Sequence, residues 1–147
     1  MILKRNGNVL ATGCNAYGQL GDGSNFDRNS FVNVVTHSAK AVAAGDEHSM
    51  VLKQDGSVWA VGRNNCGQLG DGSKIDKQRF VEVVSAGAKA VSAGGKHSLM
   101  VKLDGSVWAT GSHVHGQLGQ AINLIYRNVF VKVLSSGGEA VAAGFRH

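Results

Sequence analysis

The sequence predicts an all-β fold made of three blades of a β-propeller, each of four short antiparallel strands, completed into a ring by further blades or by oligomerisation. Three observations carry that expectation. Landmarks recur every 49 residues, at Gly7, Gly56 and Gly105 and at Gly45 and Gly94, with Gly144 one residue later, and such a period marks a stack of supersecondary units. Each period holds four short apolar runs separated by turn signals. Glycine makes up 21 of 147 residues and proline is absent, which excludes collagen-like and Pro-rich chains and calls for many glycine-dependent turns.

The second copy shows each element in order. Ala90 to Gly94 reads as a short strand of small residues, and His97 to Lys102 as a second, apolar strand. Asp104-Gly105 then turns the chain, as Asn6-Gly7 and Asp55-Gly56 do in their copies, because Asn-Gly and Asp-Gly supply the positive φ of a tight hairpin. Val58 to Val61 is the third kind of strand. After a long Gly-rich connection containing Gly-Gln-Leu-Gly (18–21, 67–70 and 116–119), a Phe-Val-x-Val strand begins at Phe31, Phe80 and Phe130. Met1 lies opposite Met50, inside a second strand, so the repeats 1–49, 50–98 and 99–147 are circularly permuted relative to the blades. Both chain ends then cut one blade, and the expectation is a fragment of a larger repeat protein, with a strand-swapped homo-oligomer as the alternative.

Gly-Gln-Leu-Gly-Asp-Gly-Ser following Trp-Ala-x-Gly, with Ala-Gly-x-x-His-Ser and Asp-Gly-Ser-Val-Trp before it, resembles the regulator-of-chromosome-condensation repeat along the whole chain. The resemblance implies a seven-bladed propeller, of which this chain supplies three blades. It departs from that family in two places. Phe31, Phe80 and Phe130 stand where members usually carry proline, and Gly-Asp-Gly-Ser becomes Gly119-Gln120-Ala121-Ile122 in the third copy.

Seventeen positions are identical in all three copies. A single active centre needs its residues once, so identity in every blade points to packing. His48, His97 and His147 are therefore read as structural, holding the turn between first and second strands, and Trp59 and Trp108 as core residues of the third strand. The innermost strands carry Ser92 as their only polar side chain, which leaves a central channel without an acid, a base or a metal cluster. No residue is nominated as catalytic. His113-x-His115 lacks a third ligand for zinc, the glycine-rich loops lack phosphate-loop spacing, and neither a metal nor a cofactor is expected.

Function is sought in the residues that differ between copies. Antiparallel strands put the loop between strands one and two on the same face as the loop between strands three and four. That face collects Glu47, Lys96 and Arg146 from the first loop type, and Lys74, Lys77, Arg79, Tyr126 and Arg127 from the second. These eight are the candidate partner-binding residues, since variable loops on a repeated scaffold make a binding surface. The net charge of +5 comes without a basic run interleaved with aromatics, so a direct nucleic-acid binder is not expected.

The expected function is a non-catalytic protein-interaction module. The resemblance implies two narrower versions: guanine-nucleotide exchange on a small GTPase with chromatin association, or the propeller portion of a HECT-type ubiquitin ligase. Two cysteines, no sequon and no long apolar segment point to a reducing compartment, cytoplasmic or nuclear, with no membrane partner.

Overall fold

The Asn-Gly and Asp-Gly dipeptides turn the chain where the sequence places them: Gly7, Gly56 and Gly105 adopt φ of 78°, 79° and 77°. The computed structural model describes residues 1–120 and 125–147. The departure at Ala121 and Ile122 lies outside the described residues. Eleven strands form three antiparallel sheets. The first holds β1 (Ile2–Leu3), β2 (Val9–Gly13) and β3 (Arg28–Val35). The second runs β4 (Ala39–Ala44), β5 (His48–Lys53), β6 (Val58–Gly62) and β7 (Lys77–Val84). The third runs β8 (Ala88–Ala93), β9 (His97–Lys102), β10 (Val107–Ser112) and β11 (Tyr126–Leu134). Neighbours in sequence are neighbours in each sheet, the meander of a propeller blade.

Two details differ from the sequence expectation. The outermost strands start earlier, at Lys77 and Tyr126, because a register shift between Ala60 and Gly62 lets Gly62 pair with Lys77, as Gly111 pairs with Arg127. A bulge of this kind extends pairing into a polar stretch that reads as loop. Residues 140–144 form no ladder; the segment is held instead by Ala143 N donating to Ser92 Oγ at 2.9 Å and Gly95 N donating to Gly144 O at 3.2 Å.

The tryptophans are the second difference. Both are half-buried, and although Trp108 packs against the main core cluster, Trp59 is not part of it. Each indole Nε1 donates to a serine hydroxyl, Trp59 to Ser57 at 3.1 Å and Trp108 to Ser106 at 2.8 Å. Lys53 and Lys102 place their ammonium groups 3.7 and 4.3 Å from the ring centroids. An indole that must satisfy its N–H and carry a cation on its face stays at the border of the core. The core proper is aliphatic: Met50, Leu52, Val58, Leu69 and Met100 are essentially inaccessible and knit the second and third sheets together.

Candidate interaction face

Blades lock to one another through the repeated residues. Ser98 Oγ donates to Gln68 O at 2.7 Å and lies 2.8 Å from His48 Nε2. With the hydroxyl proton committed to the carbonyl, the imidazole is the donor, so His48 carries its proton on Nε2. The chain His48 to Ser98 to Gln68 thus ties β5 of one blade to β9 of the next. His97 is equally buried, but neither ring nitrogen finds a partner among the described residues. His147, at the flank, is exposed. Phe80 and Phe130 lie against Gly21 and Gly70 of the preceding blade, where a Cβ would fall 2.5 and 2.6 Å from ring carbons.

Burial, followed by the neighbouring His97, lowers the His48 pKa from 6.5 to about 4. The folded value lies below the unfolded one, so the unfolded chain takes up the proton first. This contribution to stability is complete above about pH 6.5 and is lost as pH falls towards 4. Burial lowers His97 in the same direction. Urea unfolding should therefore show roughly 2 to 3 kcal/mol less stability at pH 4.5 than at pH 7. A pH-independent midpoint across that window would contradict it.

Strand direction places loops 45–47, 63–76 and 94–96 on one face, where Arg63 N donates to Glu47 O at 2.8 Å. The hairpin turns at Gly7, Gly56 and Gly105 lie at the opposite ends of the strands, where Gln54 N donates to Ser38 O. The long loops have a built interior. Asn15 and Asn64 are completely buried; the Asn64 Oδ1 accepts from Leu69 N at 3.0 Å and its Nδ2 faces Asp71 Oδ1 at 2.9 Å. Asp22 holds Ser24 and, through Nε at 2.6 Å, Arg28. Burial raises its pKa, but the bonds from Ser24 and Arg28 outweigh this and bring it from 3.8 to about 2.

In the third copy His113 takes the asparagine's place. Its Nδ1 accepts from Leu118 N at 3.2 Å and its Nε2 lies 2.7 Å from Gln120 O. The histidine that could have suggested a metal is thus an internal brace of its loop.

The eight candidate residues are not equivalent. Lys77, Arg79, Tyr126 and Arg127 lie on the outer strands β7 and β11 rather than in loops, a correction that follows from the bulges above. Lys77 pairs with Asp71 at 3.4 Å, the place Arg28 takes on Asp22. Arg127 occupies the same slot, but its acid is replaced by Gln120, and its Nε is buried without a partner among the described residues. Lys74 Nζ lies 3.2 Å from Tyr126 Oη, so these two form one unit. Glu47 is engaged by Arg63 at 2.6 Å, and that guanidinium sits 4.4 Å over the Tyr17 ring. The sequence reading missed Arg63, whose signal was its absence from the other copies. Arg79, Lys96 and Arg146 are exposed and in no ion pair among the described residues.

Successive antiparallel sheets of three or four strands, locked by repeated histidine, glutamine and glycine, define a propeller repeat protein. The regulator of chromosome condensation (RCC1) repeat profile matches residues 6–52 and 55–101, and a second profile of the same repeat matches 39–68 and 88–117. The chain belongs to this family.

Three solved structures are similar. Prp20p from Saccharomyces cerevisiae, solved together with its binding properties to Gsp1p and histones, gives a TM-score of 0.81 at 19% identity over 90% of this chain and 35% of that one. Human WBSCR16 gives 0.76 at 24% over 91% and 36%. Yeast RCC1 (Prp20), in a crystal structure with Kap60, gives 0.77 at 20% over 94% and 36%. The chain spans about a third of the length of these proteins. None of the curated proteins matches the sequence.

Proposed function

We propose that this chain is a non-catalytic protein-interaction module of the nucleus or cytoplasm, whose partner docks on the face carrying loops 45–47, 63–76 and 94–96. One observation carries the reading: the shared His48 and Gln68 are spent on a blade-to-blade lock, whereas Lys96, Arg146 and Arg79, which the copies do not share, are exposed on or beside that face. Glu47, Lys77 and Arg127 shape the surface from within. Ser92, on the innermost strand β8, accepts from Ala143 N, which supports a structural use rather than a catalytic one. The narrower versions, exchange on a small GTPase or service to a HECT-type ligase, have no residue of this face behind them. The similarity to Prp20p favours the first only through the fold.

Cross-linking through lysines tests the face. A partner should link to Lys74 and Lys96; links confined to Lys53 and Lys102, beside the opposite hairpin turns, would refute the reading. Reversing Lys74 and Arg79 to glutamate should slow association about threefold or more at low salt and less at high salt, since rim charges act on encounter.

A further inference from the structure

Blades one and two meet at the interaction face through three side chains: Tyr17, Glu47 and Arg63. Arg63 lies over the Tyr17 ring and bonds Glu47, so the crevice between the two loops is plugged by a neutralised pair. One repeat further on, the same three positions are Cys66, Lys96 and Ser112. The arginine has become a serine, the acid a lysine and the aromatic ring a thiol. Where the plug stood there is a cavity of about 230 Å³, lined by Cys66, Lys96, Val114, His115, Phe145 and Arg146 as well as Ser112.

The cavity is organised rather than left over. Gly95 stands where the first interface has Asp46, and a Cβ at Gly95 would fall 2.9 Å from Phe145 Cδ2. The loss of that side chain is what lets the Phe145 ring settle against the wall. None of the lining residues is acidic, and Lys96 and Arg146 are in no ion pair among the described residues. A concave site with two unneutralised cations concentrates field and attracts an anion, while Val114 and Phe145, 64% and 59% exposed, offer apolar contact beside it.

We propose that this cavity between the second and third blades is a binding site for an acidic peptide segment of a protein partner, taking a Glu or Asp carboxylate against Lys96 and Arg146 and an adjacent apolar side chain against Val114 and Phe145. The proposal rests on the interaction-face reading and names the chemistry of its partner. The first interface serves as an internal control, because there the protein's own Glu47 occupies the carboxylate position.

The test is fluorescence anisotropy of the full chain with a short fluorescein-labelled peptide alternating Glu and Leu, against the same peptide with Gln for Glu. The acidic peptide should bind with a dissociation constant on the order of 100 μM and should slow maleimide labelling of Cys66 but not of the exposed Cys14. The variant Cys66→Tyr, Lys96→Glu, Ser112→Arg rebuilds the plug of the first interface and should weaken binding about tenfold or more. Lys96→Glu alone, an exposed change that spares the fold, should weaken it in the same direction.

Equal binding of the Gln peptide, protection of Cys14 as strong as that of Cys66, or undiminished binding by a folded plug variant would each overturn the proposal. Failure here is distinguishable from failure of the face itself. A partner that cross-links to Lys74 and Lys96 yet ignores the plug variant leaves the face standing and removes the cavity; links at the hairpin turns remove the face whatever the peptide does.

Discussion

Replacing Gly111 by valine is expected to destabilise the chain by about 3 kcal/mol or more, through two separable effects. Gly111 has φ of 101°, a conformation that L side chains rarely adopt. A Cβ there would also fall 2.6 Å from the His97 Cα and 3.2 Å from the Gln68 Cα, both backbone atoms that cannot rotate away. The residue sits at the register shift of β10, opposite His97 on one side and Arg127 on the other. The first blade provides the control. Gly13 occupies the equivalent position with φ of 110°, yet nothing lies within 4 Å of its Cβ. Gly13→Val therefore carries only the torsional cost, about 1 to 3 kcal/mol, and the difference between the two variants isolates the steric part. Denaturant unfolding of both measures it; equal losses would show that the packing of β9 against Gly111 yields readily.

The blades were legible because their signal is repeated. Asn6-Gly7, Asp55-Gly56 and Asp104-Gly105 mark the hairpins, and strand alternation then places the variable loops on one face without further information. What escaped was whatever depended on a partner in another blade or on a bulge. Lys77, Arg79, Tyr126 and Arg127 read as loop because the polar start of the outer strand has no apolar alternation to betray it. Its pairing is dictated by Gly62 and Gly111 across the sheet. The pairing of Glu47 with Arg63 joins residues 16 apart through the lip of two loops, and no single-copy pattern reports it.

Asn15 and Asn64 were hidden for a different reason: the third copy has His113 at their position, so the slot resembled a variable surface residue. Their companions held the clue. Asp22, Ser24 and Asp27 recur as Asp71, Ser73 and Asp76 and bond the same asparagine atoms in both copies. A set of polar residues kept or lost together is a built network, whereas independent variation marks a free surface.

That network sets the second large effect. Asn64→Ala is expected to lower stability by about 3 kcal/mol, more than an average core truncation of similar size. The side chain is completely buried and acts in two directions. Its Oδ1 is the acceptor for Leu69 N, which the substitution would leave buried and unpaired. Its Nδ2 faces Asp71 Oδ1 and the carbonyls of Ser73 and Ile75, and an alanine supplies nothing in return. Asp71 is itself pulled upward by burial but held below its ordinary pKa by bonds from Ser73 and Asn64 and by Lys77. A carboxylate with a lowered folded pKa contributes stability above its unfolded value that is lost as pH falls through the folded one. Removing the Asn64 donor narrows the gap between the folded and unfolded values and so shrinks that contribution itself, and the variant's deficit should be fully present at pH 7 and should not grow at pH 5. His113→Ala in the third loop removes only the bond from Leu118 N and that to Gln120 O, and is expected to cost less, about 1 to 2 kcal/mol. Unfolding of the two variants at pH 7 and pH 5 checks both the order and its pH dependence. If His113→Ala proves the more damaging, the third loop is held chiefly by its histidine and the asparagine network is redundant.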